Sequence, residues 1–254
     1  MQISSKEWSD LIIEGAATFD IDLNHSQTRQ FAVHATELVR WNRKINLTAI
    51  TDPFEVAIKH FLDSLPAARF LPKDATLLDI GSGGGFPGLA LKILMPSLSI
   101  TLIDASRKKV SFLKHVIRTL KLDNIEALHI RAEDLAGDPL YRNRFNVIIS
   151  RAVSSLELFC CRALPFLIDE GSMMALKGDV GIDEINELQG RDFGGGNPET
   201  VGRQLSVTVD KYHLPFLNSN RSIVIINFFR LKPVRPSAEI HISPHGDGRR
   251  NFIK

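Results

Sequence analysis

The chain has 254 residues, 44% of them hydrophobic and 24% charged, which excludes global disorder and, at about 150 residues per domain, a fusion of two enzymes. Lys and Arg number 31 against 29 Asp and Glu, a net charge of +2, so the total neither demands nor forbids a polyanionic partner, and clustering of charge must decide. The two cysteines, Cys160 and Cys161, are adjacent, poorly placed for bridging each other or for a Cys-x-x-Cys zinc site; with a polar Met1 to Asp10 and no run of about 18 apolar residues, a reducing cytoplasmic setting is expected.

From Trp8 to about Leu65 the apolar positions Phe31, Leu38, Trp41 and Ile45 recur at helical spacing with Arg29, Arg40, Arg43 and Lys44 between them, predicting two to four helices punctuated by Pro53 and Pro66. Asn46-Leu47-Thr48 reads as a polar turn, and Leu71-Pro72-Lys73-Asp74 as a connector. Short apolar runs then alternate with helical stretches. Strands are expected at Thr76 to Ile80, Ser99 to Ile103, Ile125 to Ile130, Phe145 to Ser150 and Ser172 to Lys177. Helices are expected at Pro87 to Met95, Arg107 to Leu120 and Ser155 to Ile168. This alternation implies crossover units and a mostly parallel sheet covered on both faces. A helix near Ile182 to Leu188 and a break at Gly194-Gly195-Gly196 follow. Two consecutive strands, Gln204 to Tyr212 and Ser222 to Phe229, are most easily an antiparallel edge. The expected layout is a helical extension (1–72), an α/β domain (73–232) and a loose tail (233–254).

The most specific local signal is Asp79-Ile80-Gly81-Ser82-Gly83-Gly84-Gly85-Phe86-Pro87-Gly88. Glycines at 81, 83 and 85 let the backbone turn sharply and approach a ligand, at the carboxyl end of the first strand where open α/β sheets bind ligands. Asp104 follows Gly83 by 21 residues, the spacing at which an acid accepts hydrogen bonds from ribose hydroxyls, so a nucleoside-containing cofactor is expected. Gly83-x-Gly85-x-x-Gly88 satisfies the dinucleotide pattern and keeps an NAD-dependent oxidoreductase open. The acid-x-Gly-x-Gly-x-Gly form beginning at Asp79 resembles the first motif of class I S-adenosylmethionine-dependent methyltransferases.

Three further segments carry a closer resemblance. Trp41-Asn42-Arg43-Lys44-Ile45-Asn46-Leu47-Thr48, then His60-Phe61-Leu62-Asp63-Ser64-Leu65, then Ser150-Arg151-Ala152 with Ala175-Leu176-Lys177-Gly178 occur in the same order in the RsmG (GidB) family. Together with the Phe-Pro-Gly ending of the glycine loop, the chain resembles that family over about residues 35 to 180. The resemblance implies an α/β fold of the class I methyltransferase type: Rossmann-like, mostly parallel with an antiparallel edge, and carrying a helical N-terminal extension. It also implies transfer of a methyl group from S-adenosyl-L-methionine to N7 of a guanosine in the 530 loop of 16S ribosomal RNA, free or in the small-subunit particle. Position by position, it places Gly81, Phe86, Ala132, Glu133 and Arg151 at the cofactor, beside Gly83 and Asp104, which the loop and its spacing nominate. The loop after a third strand in such a fold lies beside the adenine, which agrees with Ala132-Glu133. The role of Leu231 to Lys254 is left open.

Guanine N7 carries an in-plane unshared pair and attacks a sulfonium methyl without losing a proton, so no general base is required and positioning supplies most of the rate. The fourth strand ends Ser150-Arg151-Ala152, where amine methyltransferases usually place Asp or Asn before Pro-Pro, and no Pro-Cys nucleophile occurs. Arg151 and Lys177, from adjacent strand ends, are the candidate catalytic groups at the active-site rim, facing phosphate, O6 or the cofactor carboxylate. Arg43, Lys44, Asn46, His60, Asp63 and Ser64 are candidate contacts to the RNA. A noncatalytic RNA-binding assembly factor of the same fold stays open as well, because no general base is assignable. No clustered ligand set points to a metal.

Overall fold

The structure, a computed structural model, describes residues 1–151, 153–191, 193 and 203–230. The glycine break at 194–196, Ala152 and the tail expected at 233–254 lie outside the described residues. The N-terminal third is helical, as its periodicity predicts. Helix α1 (Lys6–Ala17) is capped by the Ser5 side chain, and α2 (His25–Asn42) by a reciprocal capping box between Asn24 and Gln27. In that box each partner satisfies an amide that the helix itself leaves open. Pro53 opens the short α3 (Pro53–Val56), where its missing N–H costs nothing. Asp52 caps α3, which runs on as a π-helical turn, Ala57–Leu62, and a 3-10 turn, Leu65–Phe70.

Beyond the connector, seven strands form one sheet: β1 (Thr76–Ile80), β2 (Ser99–Asp104), β3 (Ile125–His129), β4 (Phe145–Ser150), β5 (Leu167–Lys177), β6 (Arg203–His213) and β7 (Asn220–Arg230). Their order is β3-β2-β1-β4-β5-β7-β6. The first five run parallel, and β7 inserts antiparallel between β5 and β6. The antiparallel edge was expected, and this order separates the sheet from the 3-2-1-4-5-6 arrangement typical of dinucleotide-binding folds. The crossovers are α4 (Gly88–Leu94), α5 (Arg107–Leu120), α6 (Ala132–Leu135), α7 (Leu156–Ala163) and α8 (Ile182–Gln189).

Two expectations need correction. The helix predicted to reach Ile168 ends at Ala163 and passes through a 3-10 turn, Leu164–Phe166. Pro165 lacks the N–H that would continue the ladder and clashes with the preceding turn. The following strand consequently starts at Leu167, with a register shift against β4 and Glu170 in the left-handed region before regular pairing resumes at Ser172. Helix α6 was not expected; four residues are too few to show a period.

Alternation along the strands divides the apolar side chains between two cores. Leu77, Leu102, Val147 and Met174 face the N-terminal helices, α4 and α5. Leu78, Ile103, Ile148 and Met173 face α6, α7 and α8. Trp8, Phe31, Leu38 and Phe61 are fully buried in the first core. At about 1.5–3 kcal/mol for each large side chain, their burial approaches the net stability of a whole domain, and the N-terminal helices share that core with one face of the sheet. Among the described residues no helix is long and apolar enough to cross a membrane, and Cys160 and Cys161 are both free.

Candidate functional site

The glycine loop leaves β1 with its backbone in the left-handed region at Gly81, Gly83 and Gly85, which side chains rarely tolerate. The loop is tied down from both sides. The Gly81 and Ser82 amides donate to the Ile103 carbonyl at 2.9 and 3.0 Å. The Gly83 amide donates to Asp104 Oδ2 at 3.0 Å, while the other Asp104 oxygen accepts from the Ser106 amide at 2.7 Å. Asp104 thus holds the loop and opens α5, and since each carboxylate oxygen carries two lone pairs, it keeps capacity for ribose hydroxyls. A cavity of about 250 Å³ lies directly beside it, lined by Gly81, Asp104, Ala132 and Glu133, together with Arg131 and Arg162. A smaller one of about 120 Å³ continues past Gly81 along Ser150, Ser155 and Phe159. The groove therefore runs across the carboxyl ends of β3, β2, β1 and β4. Four of the candidate cofactor residues meet in it. Ala132 is buried in the first turn of α6, and Glu133 is exposed and paired with Arg162 across the mouth.

Beneath the loop, Asp79 is fully buried. Its Oδ2 accepts from the Gly88 amide at 2.9 Å, and Oδ1 has no partner. Burial pushes its pKa up to about 7, against the Gly88 hydrogen bond and the attraction of Arg151. A raised carboxyl stays protonated in the fold after the unfolded chain has ionised, so Asp79 costs stability progressively as pH rises from about 4 to about 7. Asp79→Asn keeps an acceptor for Gly88, and its melting temperature relative to the parent should therefore climb over that window and level off above it. The difference amounts to a few kcal/mol. An unchanging offset in thermal melts from pH 4 to 8 would contradict this assignment.

The N-terminal helices complete the far wall of the loop. The Phe86 ring, buried at 3% exposure, stacks with His34 at 4.8 Å and with His60 at 4.6 Å, both tilted by 13°. The Arg151 guanidinium lies 5.2 Å from the centre of the same ring. His34 Nε2 is 2.8 Å from the Gly84 carbonyl, which can only accept, so this nitrogen carries the proton and Nδ1 is left buried without a partner. Arg151 donates to the Lys59 carbonyl at 3.1 Å and to His60 Nδ1 at 3.2 Å. His60 Nε2–H is then the donor to Thr48 Oγ1 at 2.9 Å. Burial pushes His34 down to about 4, and burial with the Arg151 charge pushes His60 to about 3. Both are neutral rings at physiological pH.

Asp63 is buried and accepts from the Tyr212 hydroxyl at 3.0 Å and pairs with Arg221 at 3.3 Å. Its burial raises its pKa, opposed by Arg151 and Arg221. Burial lowers the pKa of Arg151, opposed by the attraction of two buried acids, Asp63 and Asp79. His34, Tyr212 and Arg221 were not predicted. They come from α2, β6 and β7, and nothing local in the sequence marks them. Ser64 is fully buried and donates to the His60 carbonyl, so it supports the turn and is not presented to a ligand. His60 and Asp63 likewise lie beneath the surface. Lys177 is not brought to this cluster: its ammonium is engaged by Glu184 of α8 at 2.8 Å. Arg43, Lys44 and Asn46 are exposed at the end of α2 and the turn after it, a turn pinned by Asn42, which accepts from the Leu47 and Thr48 amides and donates to the Thr48 carbonyl.

Comparison with known proteins identifies the family of the chain. The profile of the family described as "GidB: rRNA small subunit methyltransferase G" matches residues 27–193. A "Ribosomal RNA small subunit methyltransferase G" from Geobacter sulfurreducens is 41% identical over 218 residues, covering 86% of this chain and 96% of that protein. One of the same name from Acetivibrio thermocellus is 35% identical over 226 residues, covering 89% and 90%. Among solved structures, M. jannaschii TYW2 in complex with AdoMet superposes with a TM-score of 0.52 at 16% identity, covering 66% of this chain and 75% of that one, which is a likeness of fold.

Proposed function

The chain belongs to the rRNA small subunit methyltransferase G family, and on that premise we propose that it transfers a methyl group from S-adenosyl-L-methionine to N7 of a guanosine in the 530 loop of 16S ribosomal RNA. The observation that carries the cofactor half of this reading is the convergence of Gly81, Asp104, Ala132 and Glu133 on one groove at the carboxyl ends of the strands. The residues fit a nucleoside. The Asp104 carboxylate is fixed by two backbone amides at the groove, and Ala132 and Glu133 begin a short helix whose backbone borders the same cavity. The β7 insertion weighs against the NAD-dependent alternative.

The cofactor when bound supplies an electrophilic methyl group on a sulfonium. The task of the chain is then to hold the guanine in line and dry. Arg151, pinned by the Lys59 carbonyl and the neutral His60 ring, is a fixed cation for guanine O6 or an adjacent phosphate. A donor placed on N7 itself would occupy the attacking pair. Helices 1–72 share the Phe86 stack with the glycine loop, so we read the extension as part of the same catalytic unit. We place the reaction in the cytoplasm, on the rRNA or its small-subunit particle.

Parallel calorimetric titrations test the cofactor. S-adenosylmethionine should bind one site per chain and NAD should give no saturable heat. Binding of NAD alone would overturn the reading.

A further inference from the structure

Trp41 and Trp8 are the two tryptophans of the chain, and they sit in opposite circumstances. Trp8 is fully buried and its indole N–H donates to the Pro53 carbonyl at 2.9 Å. Trp41, at helical spacing from the core residue Leu38, is half-buried. It packs one side against Phe112 at 5.7 Å and His115 at 5.2 Å on α5. The rest lines an open depression of about 360 Å³ whose other walls, among the described residues, are Arg40 and Lys44. No described residue accepts from the Trp41 indole N–H, whereas a tryptophan used only as core ordinarily finds a partner for it.

Charge around the depression is mostly of one sign. Arg40, Arg43 and Lys44 end α2 and its cap, and Lys114 and Arg118 are exposed on α5 on either side of His115. Among the described residues the acid on this face is Glu37, which pairs with Arg40 at 2.6 Å and with His115 at 2.7 Å. Arg40 retains further donors, its side chain being 60% exposed. An aromatic platform between cations is what an unpaired nucleobase and its flanking phosphates require, and a rigid duplex cannot insert a base there. The same α2 carries His34, which is bonded to the glycine loop two turns earlier, so a base held at Trp41 belongs to RNA lying across the rim of the active site.

We propose that Trp41, between Arg40 and Lys44, is a stacking platform for an unpaired base of the substrate RNA, with the neighbouring phosphates on those two cations. The assignment rests on the RNA methyltransferase reading and adds to it a site away from the cofactor groove.

Because Trp8 is buried, quenching of intrinsic fluorescence by RNA reports Trp41. A short single-stranded RNA should quench it and the same sequence held in a duplex should not. Trp41→Ala should weaken single-strand binding by about tenfold or more, and Trp41→Phe should restore most of it. Lys44→Gln, a change at an exposed side chain, should reduce the slope of log affinity against log salt by about 0.7, the loss of one phosphate contact. Equal quenching by duplex, or Trp41→Ala and Lys44→Gln proteins with parental affinity and salt slope, would overturn the platform. Failure of the parent to bind S-adenosylmethionine would instead count against the enzymatic reading, and the fluorescence result would still decide the platform.

Discussion

Gly88→Ala is expected to abolish cofactor binding and to lower the melting temperature by about 5–20 °C. Gly88 opens α4 directly over the paired residues Asp79 and Leu102 of β1 and β2. A Cβ there would collide with the Leu102 side chain and come within 2.7 Å of Asp79 Oδ2. Leucine can rotate, but Asp79 Oδ2 is the acceptor of the Gly88 amide itself, so moving it breaks that bond. Asp79 would then be a buried carboxyl with neither oxygen satisfied. Overpacking at about 1–3 kcal/mol and an unsatisfied buried group at about 1–3 kcal/mol together give about 2–6 kcal/mol. At about 2–4 °C per kcal/mol for a chain of this size, the shift is large. Gly178→Ala is the control, because a Cβ at Gly178 meets nothing within 4 Å. Thermal melts and calorimetric titration of the two variants check the claim, and equal behaviour of both would remove Gly88 from the account.

Arg151→Ala should reduce methyl transfer at saturating RNA by about 10²–10³, the scale of losing one fixed electrostatic contact to a reacting group. Its second effect is on the acids beneath. With the guanidinium gone, Asp63 and Asp79 lose the cation that opposes their burial, and both carboxyls move further up. By the linkage already described for Asp79, the added instability should appear on the alkaline side and fade toward pH 4. Arg151→Lys separates the two effects. It keeps the charge near Asp63 and Asp79, and so most of the stability, but one ammonium cannot reproduce the planar fork that reaches the Lys59 carbonyl and the His60 ring together. The lysine variant should therefore melt near the parent and still transfer methyl groups slowly. Rapid transfer by the alanine variant would show that Arg151 is only a structural cation.

Much of this was legible in the chain because the physics that fixes it is local. The helix over Arg107–Leu120 and the strand over Phe145–Ser150 have the bounds that their periodicity predicts. The glycine loop and Asp104, joined at 3.0 Å, were legible from spacing alone. Helix α7 was misjudged where apolar residues continued through Pro165, since periodicity does not register a missing N–H. The stack of His34, Phe86 and His60 was invisible for a different reason. Its members lie on α2, the glycine loop and the π-helical turn, and only the packing of the N-terminal helices on the sheet brings them together. Tyr212 and Arg221 reach Asp63 from the edge hairpin across 149 and 158 positions of sequence. Lys177 was placed by adjacency of strand ends, and its partner Glu184, seven residues later on α8, is not marked by that adjacency.

The central claim is the transfer of a methyl group to guanine N7 in the 530 loop, and chemical mapping tests it most directly. 16S rRNA from a strain lacking a relative of this protein, incubated with the purified chain and S-adenosylmethionine, then reduced and treated with aniline, should be cleaved at one guanosine of that loop. Omission of either the protein or the cofactor should leave it intact. Uncleaved rRNA from the complete reaction, or methyl label at any other atom or nucleotide, would contradict the account.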